Sequence, residues 1–179
     1  IIGAGFLGLL ILQLAAAAGA AVLLISRRPD GLRLGGTMGA TEAIALHDGE
    51  EGVNRIREIT NGGLCDWVIE ATGHAAPLDL AGELVAERGK LVIAGYHQDG
   101  PRTVNMQLWN WRGLDVINAH ERAARIYVHG MRKAVELVET GQFKPWPLFT
   151  HSYGLEELGV ALDAARDRPD GFMKALVLN

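Results

Sequence analysis

A single cysteine, Cys65, is all the thiol chemistry in these 179 residues. That excludes an internal disulfide framework and any zinc site built from several thiolates of this chain. An excess of positive charge is also missing: 17 basic against 21 acidic side chains leave a net charge of −4, which argues against nucleic acid as a main partner. The six histidines (47, 74, 97, 120, 129 and 151) show no HxxxH spacing. No cysteine pair accompanies them, so no metal ligand set is assigned within the chain. Residues 1–26 carry no charged side chain at all. A membrane span would look like that. However, glycines at 3, 5, 8 and 19 cut the run into strand, turn, helix, turn and strand, as in the first unit of a parallel sheet covered on both faces. A signal peptide is a poor match because no basic stretch comes first. The reading is no membrane, with the reducing cytoplasm as the expected compartment. There is no initiator Met, and only Ile1 and Ile2 precede the first glycine. The chain is expected to begin inside a strand, as a piece of a larger protein.

What is present begins with Gly3-Ala4-Gly5-Phe6-Leu7-Gly8. A GxGxxG carries meaning when a strand precedes it and a helix follows. Here two β-branched residues come before it and the helix formers of Leu9–Ala18 come after it. Gly3 is expected to make the tight turn, Gly5 to let the backbone approach a pyrophosphate, and Gly8 to let the helix pack on its strand. The unpaired N–H groups of the helix N-terminus, with Phe6 and Leu7 in its first turn, complete a dinucleotide phosphate site.

The remainder alternates short apolar runs with helical periods, which predicts a parallel α/β sheet. Strands are expected at Ala21–Ile25, Ala43–Leu46, Trp67–Ile69, Leu91–Ala94, Asp115–Ala119 and Phe172–Leu178. Pro29-Asp30-Gly31 reads as a turn followed by a short helix to about Met38, and further helices are expected over Val53–Ile59, Leu78–Ala86, Ile126–Thr140 and Leu155–Asp167. Gly89-Lys90 reads as a turn, and Tyr96 to Gly113 as a looser stretch. Pro145 and Pro147 mark a boundary.

The second strand ends at Ser26-Arg27-Arg28, where an NAD-preferring fold usually has an acid for the ribose 2′-OH. No acid stands there. A small hydroxyl residue leaves room for a 2′-phosphate, and two arginines can pair with it. NADP is therefore favoured, with NAD as the alternative; the competing reading makes the arginines a solvated loop. Asp66–Gly73 is a strand ending in small residues at the carboxyl edge of the sheet, where ligands bind in open α/β folds. Its Glu70 pairs with a neighbour, points into the crevice, or is an exposed acid at the strand end. Lys90–Gly95 repeats the pattern one strand later.

In their order, GAGFLG, SRRPDGLRLGGTMGA, DWVIEATG, RGKLVIAGYH and THSYGLEELGVALDAARDRPDGFMKALVL resemble the medium-chain dehydrogenase/reductase superfamily, and within it the zinc-type alcohol and polyol dehydrogenases. The resemblance covers nearly the whole chain. It implies a doubly wound Rossmann domain with a six-stranded parallel sheet over residues 1–143. It also implies a C-terminal segment, 144–179, whose helix and strand return to a GroES-like catalytic domain not contained here.

The resemblance places Gly3, Gly5 and Gly8 on the family's glycine turn, and Ser26, Arg27 and Arg28 where NAD and NADP are distinguished. Thr72, Gly73, Ala94, Gly95, Asn118 and Ala119 match strand ends that line the cofactor. Lys174 matches a basic residue that reaches the pyrophosphate. Zinc is expected in the full-length parent, with its ligands upstream of the glycine turn and none in this chain. No catalytic residue is named; His97 is a weak candidate for touching substrate, and His120, Glu121 and His151 read as loop or packing residues.

The activity implied is hydride transfer between a nicotinamide cofactor and a small alcohol, a polyol or its carbonyl. A zinc-free quinone or enoyl reductase of the same superfamily, or a nucleotide-sensing module without catalysis, are the alternatives. Pairing of the sixth strand edge, Asp115–Ala119, across a two-fold axis implies a homodimer or homotetramer.

Overall fold

A computed structural model of the chain describes residues 1–47 and 49–179. The elements run α1 (Phe6–Ala17), β1 (Leu23–Ser26), α2 (Pro29–Thr37), β2 (Glu42–Ala45), α3 (Gly49–Ile59), β3 (Cys65–Glu70), α4 (Ala75–Leu84) and β4 (Val85–Ile93). They continue with α5 (Met106–Arg112), β5 (Asp115–Asn118), α6 (Ala124–Glu139), β6 (Phe149–Gly154), α7 (Leu158–Asp167) and β7 (Lys174–Leu178). Every strand pair is parallel, the arrangement that helix crossovers between strands enforce. The fold is α/β.

The strands form ladders of two (β1–β2), three (β3–β4–β5) and two (β6–β7) rather than the single six-stranded sheet expected. The reason lies at the start of the chain. Ile2 bridges Ile25 on one side and Glu70 on the other. Ile1 and Gly3 add backbone bonds to β1. The segment lies between β1 and β3, yet only Ile2 bridges both of them, so it forms isolated bridges and no ladder.

Successive residues of a strand face opposite sides of a sheet, and the core divides accordingly. Leu24 packs with Leu9, Leu12, Val22, Leu148 and Met173 on the α1 side. Ile25 packs with Ile2, Ile56, Val68, Leu84 and Leu91 on the side of α3 and α4. Each fully buried aliphatic side chain of this kind contributes roughly 1.5–3 kcal/mol. Gln13 is the polar exception on α1. Its Oε1 accepts the Lys144 N–H at 2.9 Å and its Nε2 points to Met38 Sδ, so its burial leaves no polar group unpaired. With Leu148 and Met173, that bond fastens the C-terminal segment onto α1.

Several elements depart from the sequence reading: β6 stands where no strand is expected, and the expected turn Pro29-Asp30-Gly31 is the first turn of α2. The helix expected to Ala86 ends at Leu84, and β4 begins at Val85, paired with Cys65. The expected Gly89-Lys90 turn is instead an irregularity inside β4, where the register shifts and Arg88 takes a left-handed φ of 56°. The loose stretch contains α5, capped by the Asn105 side chain and stopped at Gly113.

Candidate functional site

The site is the carboxyl edge of the strands. It is built from the glycine turn, the turn after β3 and the turn after β4. Gly3 has a φ of +106°, and a Cβ there would lie 2.6 Å from Thr72 Cγ2. A Cβ on Gly8 would lie 1.9 Å from the Gly3 carbonyl oxygen. Only a residue without a side chain lets α1 begin so close to the turn. Gly5 is different: a Cβ there would meet nothing within 4 Å. It is the N-cap of α1 and has no side chain to offer, so the first-turn N–H groups, those of Phe6 and Leu7 among them, receive no side-chain cap. Such a terminus attracts anions.

The neighbouring turns are equally tight. A Cβ on Gly95 would sit 2.2 Å from the Gly73 N, so Ala94-Gly95 lies directly against Thr72-Gly73. Beneath them is Glu70, fully buried. Its Oε1 accepts the N–H of Thr72 at 2.6 Å, the N–H of Gly73 at 2.9 Å and the Thr72 hydroxyl. Its backbone carbonyl accepts Ala94 N and Gly95 N, both at 2.8 Å. Of the three alternatives for Glu70, the pairing one holds, and full burial rules out the exposed one.

At the end of β1, Ser26 is buried and its Oγ accepts the Arg28 N–H at 3.1 Å. Arg27 is exposed. Arg28 reaches across to donate to the Phe172 carbonyl at 2.7 Å. Asp30 accepts the N–H of the adjacent Gly171 at 2.7 Å; its bonds to Arg33 and Gly171 hold its carboxyl below the usual range. Lys174 places Nζ 5.3 Å from the centroid of the Phe6 ring. The glycine turn, Thr72, Gly73, Ala94, Gly95 and Lys174 are thus neighbours.

Asn118 and Ala119 lie at the far end. Ala119 N donates to Ile93 O, and Asn118 Oδ1 accepts the His120 N–H. Among the described residues no hydrogen bond joins them to the glycine turn. The following loop is held by Glu121, whose carboxyl is lowered by accepting the N–H groups of Ala123 and Arg122.

His97 is corrected. Both ring nitrogens are engaged, by Glu70 and by Arg102, and the side chain is 13% exposed, so it has no free nitrogen for substrate. His120 stacks on Tyr96, and His151 packs against Phe172 and Tyr153, as packing residues do. Arg102 went unnoticed in the sequence; a lone arginine in a loop carries no local pattern. No three His, Cys, Asp or Glu side chains among the described residues gather closely enough to hold a metal ion. No described helix is long and apolar enough to cross a membrane.

Residues 7–140 match the family described as zinc-binding dehydrogenase. Sorbitol dehydrogenase of Bacillus subtilis (strain 168) is 26% identical over 178 residues, covering 99% of this chain and 49% of that protein. L-threonine 3-dehydrogenase of Bacillus velezensis is 29% identical over 170 residues, 93% of this chain and 47% of that protein. The solved alcohol dehydrogenase TADH from Thermus sp. ATN1 superposes with a TM-score of 0.82 at 27% identity, covering 99% of this chain and 50% of that one. The chain spans about half the length of the curated relatives it matches.

Proposed function

This chain belongs to the zinc-binding dehydrogenase family, and on that premise we propose that it is the dinucleotide-binding part of an oxidoreductase acting on a small alcohol or polyol, or on its carbonyl. The observation that carries the reading is the glycine turn. Gly3 and Gly8 interlock backbone to backbone while Gly5 stays open in front of the α1 N-terminus. That is a cradle with room for a pyrophosphate and N–H groups aimed at it. Named as relatives are dehydrogenases of sorbitol and of threonine, which supports an alcohol-bearing substrate class.

The cofactor is assigned as NADP, with NAD as the alternative. Gly3, Gly5, Phe6, Leu7 and Gly8 take the pyrophosphate, with Lys174 adding charge from the side of Phe6. The Ser26 hydroxyl and the exposed Arg27 take the ribose 2′-phosphate, and Arg28 holds the loop before β7 beside them. Thr72 and Gly73 line the cofactor, and Ala94, Gly95, Asn118 and Ala119 lie near its nicotinamide. The dinucleotide, when bound, supplies the hydride acceptor or donor; this chain's own groups orient it and exclude water from its face. The described residues hold no zinc ligand set.

Residues 1–143 are taken as the dinucleotide domain, its short ladders completed into one six-stranded sheet in the whole protein. Residues 144–179 are the segment that returns to the other half. Among the described residues β5 pairs with β4 alone, and its Val116 and Ile117 are exposed. An apolar open edge invites strand pairing, and we assign it to a dimer or tetramer contact, tested by sedimentation of the full-length protein.

Calorimetric titration of NADPH and of NADH into the full-length protein tests the whole reading. Binding of either upholds it, and binding of neither refutes it. Tighter NADH binding would overturn the NADP assignment alone.

A further inference from the structure

Glu70, His97 and Arg102 form a hydrogen-bonded chain that leaves no freedom in where its protons sit. Arg102 donates from Nε to His97 Nδ1 at 2.9 Å. A guanidinium has donors and no acceptor, so Nδ1 must present its lone pair. The single proton of a neutral imidazole is then on Nε2, which lies 3.0 Å from Glu70 Oε2. That oxygen must accept, so it carries no proton. Oε1 already faces three donors, two backbone N–H groups and the Thr72 hydroxyl, so it carries none either. The side chain is an ionised carboxylate, fully buried and made tolerable by four donors, the condition for keeping a charge in the interior.

The far end of the chain closes on the same turn. Arg102 Nη2 donates to the Gly73 carbonyl at 3.2 Å and also to Asp99. The peptide groups on both sides of Gly73 are therefore held, the N–H by Glu70 and the C=O by Arg102. Gly73 has a left-handed φ of +78°, and its neighbour Thr72 presses on Gly3 of the glycine turn.

We propose that Glu70, His97 and Arg102 are positioning residues that act as one unit, with His97 locked as the Nε2–H tautomer, to fix the Thr72-Gly73 turn against the glycine turn. For dinucleotide affinity this rests on the function proposed above; for the rigidity of the turn it does not.

The lock predicts an unusual pattern of variants. In Glu70→Gln, the new amide accepts from the Thr72-Gly73 turn as before, but presents N–H to Nε2–H. The conflict is relieved only if His97 moves its proton to Nδ1, which Arg102 forbids. Removing Arg102 as well, in Glu70→Gln/Arg102→Met, frees that tautomer and restores one bond. The combined loss is therefore smaller than the product of the two single losses, the signature of one network.

The test uses the full-length protein labelled with ¹⁵N-histidine. Ring nitrogen shifts report the tautomer of His97, assigned by comparison with His97→Gln. Amide exchange of Thr72 and Gly73 reports the turn. Expected are Nε2–H in the wild type, faster exchange at both amides in Glu70→Gln, and Nδ1–H in the double variant. Dinucleotide affinity should fall about tenfold in each single variant and by clearly less than a hundredfold in the double. A wild-type His97 with Nδ1–H or a tautomer mixture overturns the proposal without any variant having to fold. So does unchanged amide exchange in Glu70→Gln. If the wild type shows the predicted tautomer and exchange but binds no dinucleotide, the functional reading fails while the positioning unit stands.

Discussion

Arg28 donates from its guanidinium to the Phe172 carbonyl at 2.7 Å, joining residues 144 positions apart. The end of β1 is thereby tied to the loop before β7, and the two adjacent arginines have different work. Arg28 is spent on the protein, while Arg27 is exposed beside the buried Ser26. A hydrogen bond to a charged group is worth about 1.5–3 kcal/mol, or about 10–100-fold in affinity. Arg27→Ala is expected to weaken NADPH binding by that order and to leave NADH binding nearly unchanged. Arg28→Ala should weaken both and lower the melting temperature. Parallel calorimetry with the two dinucleotides separates these outcomes, and equal losses for both in Arg27→Ala would remove the 2′-phosphate assignment.

The glycine turn separates folding from binding. Gly8→Ala puts a methyl 1.9 Å from the backbone oxygen of Gly3, an atom that cannot rotate away. Overpacking of this kind costs about 1–3 kcal/mol, so a clear drop in melting temperature is expected. Gly5→Ala is the control. Its φ is −90°, open to any residue, and its Cβ meets nothing within 4 Å. Stability should be within about 0.5 kcal/mol of the wild type, as for ordinary surface changes, while dinucleotide affinity falls because the added methyl stands where the pyrophosphate approaches. A Gly5→Ala protein that binds as tightly as the wild type would show that the cradle is not used.

This contrast also explains how much could be read beforehand. The jobs of Gly3 and Gly8 were legible because their constraint is local: a positive φ and a helix starting on top of a turn leave glycine as the residue that fits. The strands β1 and β3 were legible as short apolar runs, although Trp67 of β3 is exposed. By contrast, α5 is marked only by Asn105, whose Oδ1 accepts the Leu108 N–H, and by Gly113. β6 reads Phe-Thr-His-Ser-Tyr-Gly, with no continuous apolar run. The Glu70–His97–Arg102 unit joins the end of β3 to the loop between β4 and α5, and a contact between separate segments leaves no period or spacing in either of them. The carboxylate looked as much like a crevice acid as a structural one until its partners were in place.

Cys65 should be a slow thiol. Burial raises its pKa, with Asp66 adding to the rise. Because the thiolate is the reactive form, alkylation by iodoacetamide at neutral pH is expected to be slow in the folded protein and fast in denaturant. Fast alkylation without denaturant would mean that the start of β3 opens readily.

Asp30 gives the fold an acid-sensitive clasp. Its carboxyl is lowered first by the Arg33 side chain and next by the N–H of Gly171. A carboxyl whose folded pKa lies below its unfolded value, near about 4, contributes stability that is complete above the unfolded value. That contribution is lost as pH falls through the folded value. The group is exposed, so the effect is small and screened by salt. Its location makes it readable, because Gly171 adjoins Phe172, the acceptor of Arg28. Between neutral pH and about pH 4, Asp30→Asn should melt lower than the wild type, and the gap should close as the pH drops further, when the wild-type carboxyl is protonated too. Amide exchange at Gly171 should follow the same course, slow in the wild type above about pH 4 once corrected for intrinsic rates, and fast in the variant throughout. A gap that persists unchanged in strong acid would assign the difference to side-chain packing and take the clasp away.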